Sequence, residues 1–84
     1  GDIIVEGHTD DRPVSRRSKF PSNWELSVAR AFSVIRCLNE NGVDPQHTSA
    51  RGYGAYRPRG PNDTPEQRAE NRRIEIVLLN PPKA

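Results

Sequence analysis

The chain has 84 residues, with 13 Lys and Arg against 11 Asp and Glu and a formal net charge of +2. That length has room for a single small domain over residues 1–84, and the near-balance of charge excludes a disordered polyelectrolyte even though only 32% of the residues are hydrophobic. The sequence contains no apolar run of roughly 18 residues that could cross a bilayer, and its one cysteine, Cys37, excludes an internal disulfide and a cysteine zinc site.

Asp2-Ile3-Ile4-Val5-Glu6-Gly7 predicts a strand buried in a sheet, ended by Gly7. With no start methionine and no leader ahead of it, the chain reads as a piece of a longer protein. His8 to Pro21 is polar and punctuated by Pro13 and Pro21, with Arg12, Arg16, Arg17 and Lys19 between, and predicts a long loop of the kind that is usually functional. Ser22-Asn23-Trp24-Glu25 matches a capping box, in which the Ser22 hydroxyl accepts from the Glu25 N–H and the Glu25 carboxylate reaches back. A helix over Asn23 to Asn41 follows, with Val28, Ala31, Phe32, Ile35 and Leu38 on its apolar stripe and Asn41-Gly42 as its stop.

Thr48 to Gly54 predicts a short strand ending in glycines, and Arg57 to Asn62 a turn-rich loop. Thr64 as N-cap and Pro65 at the first helical position open a brief helix that runs to about Asn71. The last strand places Ile74, Ile76 and Leu78 on one apolar face against Glu75, Val77 and Leu79, and Asn80-Pro81-Pro82 ends it. The alternation of strands and helices predicts an α/β two-layer sandwich, with helices on one face of a small sheet.

Asp10 lies at the end of the first strand, where ligand sites of α/β folds gather. Asn23, Ser27 and Arg30 are spaced by four and three along the next helix, so they share a stripe near its positive end. Arg30 suits a carboxylate and Asp10 an ammonium, a combination that fits a zwitterion. Residue types alone equally allow, and statistically favour, Asp10 and Arg30 pairing with each other or facing solvent. Arg72 and Arg73 either pair with Glu66, Glu70 or Glu75, or one of them reaches that site. A metal at His8, Asp10 and Asp11 lacks supporting His spacing, and Cys37, beside core positions and without a patterned His, reads as a buried structural thiol.

Taken in order, Gly7-His8-Thr9-Asp10, Asn23-x-x-Leu26-Ser27-x-x-Arg30-Ala31, Gly42-Val43, Gly52-Tyr53-Gly54 and Arg68-Ala69-x-Asn71-Arg72-Arg73-Ile74-Glu75-Ile76 resemble the OmpA-like peptidoglycan-associated domain. The insert from Arg12 to Pro21, the stretch Phe20 to Ser27, and Arg57-Pro58 with Asn62-Asp63-Thr64-Pro65 are most similar to its MotB-type flagellar stator members.

The resemblance implies a non-catalytic module without cofactor or metal, the periplasmic domain of a bacterial inner-membrane protein. It implies binding of the diaminopimelate of the peptidoglycan stem, with Asp10 and Arg30 gripping its amino and carboxylate groups. Thr9, Asn23 and Ser27 would shape the pocket and Arg72 would add a contact. A homodimer is implied, with a MotA-type stator subunit as partner through a membrane segment outside this sequence. So are one more strand and helix ahead of the Gly7-His8-Thr9-Asp10 strand. The alternatives are a general OmpA- or Pal-type anchor between outer membrane and wall, and an arginine-rich nucleic-acid module. Acidic residues interspersed among the 11 arginines argue against the nucleic-acid module. A wall enzyme lacks a candidate base, nucleophile or metal cluster.

Overall fold

A computed structural model of the chain describes residues 1–80. Along the chain come β1 (Asp2–His8), α1 (Asn23–Glu40), a 3-10 turn (Pro45–His47), β2 (Thr48–Gly52), α2 (Pro65–Asn71) and β3 (Arg73–Leu79). The three strands form one sheet in the order β2-β1-β3. β1 is central, which is why Ile4 and Val5 are both buried although they point to opposite faces. β2 runs parallel to β1, with Val5 opposite Ala50 and Gly7 opposite Gly52. A parallel neighbour needs a crossover, and α1 supplies it. β3 is antiparallel to β1, with Val5 opposite Ile76 and Gly7 opposite Ile74, so the sheet is mixed.

The start of α1 falls at Ser22 as expected, but its cap differs from the predicted box. The Ser22 oxygen accepts from the Trp24 N–H at 3.1 Å, and its hydroxyl donates to the Glu25 carboxylate. With the carboxylate bound to the side chain, it does not reach back to the Ser22 N–H. The reciprocal box forms instead at α2: Thr64 Oγ1 accepts from the Gln67 N–H at 3.1 Å, and Gln67 Oε1 accepts from the Thr64 N–H at 3.1 Å. α1 stops where Asn41 and Gly42 were expected to stop it. The Asn41 amide donates to the Cys37 carbonyl, and Gly42 takes a φ of 97°.

The core is small. Val5 and Ala31 are fully buried with Ile35, and Ile3, Val34, Leu38, Ala50 and Ile74 pack around them. The buried residues of α1 are Ser27, Ala31 and Ile35, a strict i, i+4 row, so the stripe is narrower than predicted. Phe32 lies off that row and is 52% exposed. Cys37 is two residues beyond Ile35, about 200° around the helix, and is exposed, not buried. The expected apolar face of β3 is also only partly covered: Ile74 reaches the core, whereas Ile76 and Leu78 are 53% and 60% exposed. α1 lies across β1 and β2, and the face of the edge strand falls beyond its cover. The predicted stop at Pro81 and Pro82 lies outside the described residues.

The layers meet at a seam of small residues. Gly7 and Gly52 are cross-strand partners, and both lie under Ser27 of α1. A Cβ on Gly7 would lie 2.0 Å from the Ser27 carbonyl oxygen, and one on Gly52 would lie 2.4 Å from a Val28 methyl and 2.6 Å from Ser27 Oγ. Glycine at these two positions lets the helix backbone close onto the sheet.

Candidate functional site

β1 ends at His8, and the chain that leaves it carries Thr9 and Asp10 into a buried corner between the start of α1 and the start of β3. Thr9 is pinned by its N–H to the Gly54 carbonyl at 2.9 Å, and its hydroxyl donates to the Asp10 carbonyl at 2.8 Å. Asp10 is 7% exposed. One carboxylate oxygen accepts from the Arg12 N–H at 2.9 Å, forming the turn that opens the long loop. The other accepts from Arg72 Nη1 at 2.7 Å. Asn23, the first residue of α1, donates its amide to the carbonyls of Arg12 at 2.8 Å and Asp10 at 3.4 Å, tying the loop to the helix.

The residues singled out from sequence therefore separate into two groups. Thr9, Ser27 and Asn23 build the frame. Ser27 is fully buried, donating to the Trp24 carbonyl at 2.8 Å and accepting from the Gly54 N–H at 3.0 Å, so it acts by holding α1 and the Gly54 turn together. Asp10, Arg72 and Arg30 carry the charge. Asp10 and Arg30 do not pair with each other. Arg72 bonds Asp10 and also lines a cleft of about 340 Å³ with Arg30, Arg73 and Ile74, so it joins the carboxylate to the second arginine.

Within that cleft Arg73 is bound to Glu75 at 2.7 Å and Arg72 to Asp10. Arg30 is exposed and has no ion-pair or hydrogen-bond partner among the described residues. The charge left uncompensated is thus the planar two-pronged donor best suited to a carboxylate. Of the two arginines ahead of β3, Arg72 is the one that reaches Asp10, whereas Arg73 pairs with Glu75.

His8 is buried beside the site and stacks on Tyr53, with ring centroids 5.2 Å apart. Its Nε2 is 3.4 Å from Glu75 Oε2, out of hydrogen-bond alignment, because Arg73 binds that same oxygen. Burial lowers the His8 pKa from its ordinary 6.5; Arg73 adds to this, while Glu75 and Glu6 oppose it and Arg57 contributes a smaller lowering. With the folded value below the unfolded one, the unfolded chain binds the proton first, so stability is lost as pH falls through the unfolded value. Glu75, held low by its bond to Arg73, weakens the fold only at still lower pH. The midpoint of thermal unfolding is therefore expected to fall by a few degrees between about pH 7.5 and about pH 5.5. A His8→Phe variant, which keeps the stack without the titration, should lose that dependence; an equal fall in the variant would exclude His8 as its source.

One buried residue that supports the site gave no local signal in the sequence beyond its place in the Asn71-Arg72-Arg73 string. Asn71 is fully buried, and its carbonyl accepts from the N–H groups of Arg59 at 2.8 Å and Gly60 at 3.2 Å. Its amide donates to the Gly60 carbonyl, the Pro61 carbonyl and Asn62 Oδ1. Asn71 thereby fastens the 59–62 loop to the end of α2, one residue before Arg72, and fixes where Arg72 departs toward Asp10.

The OmpA family model matches residues 2–72, which include the strand-end aspartate, the α1 stripe and Arg72. The chain belongs to the OmpA family. Among curated relatives of this OmpA-family chain, Motility protein B of Bacillus subtilis is 47% identical over 78 residues, covering 92% of this chain and 30% of that protein. Among solved structures, the C-terminal domain of Helicobacter pylori MotB superposes with a TM-score of 0.86 at 41% identity, over 90% of this chain and 57% of that one. The cell wall anchor of the type VI secretion system of Pseudomonas aeruginosa superposes with a TM-score of 0.82 at 41% identity, over 90% of this chain and 52% of that one. The OmpA-family chain spans less than a third of the length of these motility proteins.

The family resemblance and the two-layer α/β fold expected from the sequence are both borne out.

Proposed function

We propose that this OmpA-family domain is a non-catalytic wall anchor that binds the peptide stem of peptidoglycan through its diaminopimelate and fastens a MotB-like flagellar stator to the cell wall. The observation that carries the reading is the Arg30 guanidinium, without a partner among the described residues, beside the Asp10–Arg72 pair at the strand end. A diaminopimelate side chain ends in an ammonium and a carboxylate on one carbon. The carboxylate is taken by Arg30. The ammonium approaches Asp10 and shares it with, or displaces, Arg72, whose half-exposed side chain is free to turn toward the ligand carboxylate. Thr9, Asn23 and Ser27 keep these groups in place without themselves being charged.

The names of the relatives support the setting. Motility protein B, a solved periplasmic domain of Helicobacter pylori MotB and a cell wall anchor support a periplasmic, wall-anchoring setting; the inner-membrane attachment, the homodimer and the MotA-type partner reached through a membrane segment are part of the same proposal. The same site would serve an anchor of another envelope apparatus without change.

The test is co-sedimentation with purified insoluble peptidoglycan. The folded protein is expected to sediment and to be released by a stem tripeptide containing meso-diaminopimelate, whereas the same tripeptide with lysine in that place, whose side chain ends in an ammonium alone, should not release it. Failure of the folded protein to sediment, or equal release by the lysine tripeptide, would refute the reading.

A further inference from the structure

Next to the charged site lies a second cleft that the reading above leaves unused. It has a volume of about 400 Å³, within the roughly 300–1,000 Å³ range of ligand clefts. Its walls include Trp24 and Tyr56, which stack with centroids 4.8 Å apart and an interplanar angle of 22°. Pro13 and Pro21 of the long loop add to its apolar part, and Asp11 and Asn23 are among its polar groups. The two rings are 48% and 68% exposed, although mutual stacking already covers one face of each.

They are also held in place. Gly54, at φ 58°, lies beneath both: a Cβ there would touch Trp24 and Tyr56 at 3.5 Å each. Ser27 fixes Gly54, and the Tyr56 N–H closes a turn onto the Tyr53 carbonyl at 3.2 Å. The aromatic pair is therefore a prepared wall, not a loose surface cluster.

The composition of the wall selects its ligand class. Asp11 disfavours an anion, and no cationic side chain among the described residues lines the cleft. A hydrocarbon would offer nothing to the Asp11 carboxylate or to Asn23 Oδ1, the Asn23 amide N–H groups being already bound to the Arg12 and Asp10 carbonyls. A pyranose ring meets both demands: its C–H face is weakly positive and packs on the negative face of an aromatic ring, while its hydroxyls and acetamide bond a carboxylate and a side-chain amide.

We infer that the Trp24–Tyr56 cleft is a saccharide subsite that takes an N-acetylhexosamine ring of the glycan strand, while the Asp10 and Arg30 site takes the stem peptide of the same wall. The inference rests on the wall-binding reading for its biological setting, but not for its test. Asn23 connects the two sites physically, since its side chain lines the cleft and its amide holds the Asp10 and Arg12 carbonyls. Two weak contacts on one polymer then add as a linked pair.

Trp24 is the only tryptophan of the chain, so its emission reports directly on the cleft. The experiment titrates the full chain, its fold checked by thermal unfolding, with the trimer of β-1,4-linked N-acetylglucosamine and, separately, with a sugar-free stem tripeptide containing diaminopimelate. The trimer is expected to change Trp24 emission saturably. Tyr56→Ala should weaken the trimer about fivefold and leave tripeptide binding within about twofold, Tyr56→Phe should restore trimer binding, and Asp10→Asn should weaken only the tripeptide. No saturable change with the trimer, or equal trimer binding by Tyr56→Ala, would overturn the subsite whatever the tripeptide does. Loss of tripeptide binding by the wild type alone would instead overturn the diaminopimelate reading and leave the saccharide cleft standing.

Discussion

Asp10→Asn and Arg30→Ala are each expected to weaken peptidoglycan binding by about 100-fold or more, while the protein remains folded. The size follows from the ligand. It presents an ammonium and a carboxylate together, so removing either protein charge leaves one ligand charge desolvated and unpaired, which costs several kcal/mol. The fold survives for reasons specific to each residue. In Asp10→Asn the side-chain oxygen still accepts from the Arg12 N–H, and Arg72, whose side chain is 42% exposed, turns to water. The lost Asp10–Arg72 pair is discounted by that exposure to about 1 kcal/mol or less. Arg30 is exposed and touches no acid among the described residues, so Arg30→Ala should leave stability within about 0.5 kcal/mol. Co-sedimentation with insoluble peptidoglycan, paired with thermal unfolding of each variant, measures both halves. Near-normal sedimentation of either folded variant would remove that residue from the site.

Gly7→Ala is expected to be the most damaging single change to the fold, costing on the order of 3 kcal/mol or more. The added Cβ would lie 2.0 Å from the Ser27 carbonyl oxygen and 2.9 Å from its carbon, both backbone atoms of α1. No side chain can rotate out of the way. The helix must lift from the sheet, which opens the Val5–Ala31–Ile35 core and releases Ser27 from Gly54. For a small domain with a total stability of about 5–15 kcal/mol, that loss is a large share. Gly60→Ala is the matched control, because a Cβ there meets nothing within 4 Å and the N–H that bonds Asn71 is retained. Urea unfolding of the two variants should separate them clearly. A Gly7→Ala midpoint close to that of Gly60→Ala would show that the seam is not closed as tightly as described.

Much of the architecture was legible locally. The buried run of β1, the Ser22 start of α1, the Asn41-Gly42 stop and the Thr64-Pro65 opening of α2 each depend on residues within one turn of each other. Short-range sterics and capping are sufficient to specify such features. What failed was the assignment of faces. Periodicity puts Phe32 on an apolar stripe and Ile76 and Leu78 on an apolar face, yet all three are about half exposed, because the width of cover is set by how far α1 extends over the sheet. Cys37 was misplaced for the same reason, as a rotation of the helix about its axis leaves the sequence spacing unchanged.

The candidate site divides along the same line. The sequence by itself determined the inventory: a strand-end Asp10, a helix stripe carrying Asn23, Ser27 and Arg30, and a pair of arginines ahead of β3. Residue types and spacing are enough to nominate a zwitterion site and, through the ordered motifs, the OmpA family. The partnerships come from the folded chain. Asp10 bonds Arg72, 62 residues away in sequence, and Arg30 is thereby left without a partner among the described residues. Asn71 and the Trp24–Tyr56 wall owe their roles to loops folded against them from distant parts of the chain. Which opposite charges pair depends on through-space distances of a few ångströms, set when α1 settles on the glycine seam and β3 pairs with β1. Sequence spacing constrains such distances within one helix or strand, and not between them.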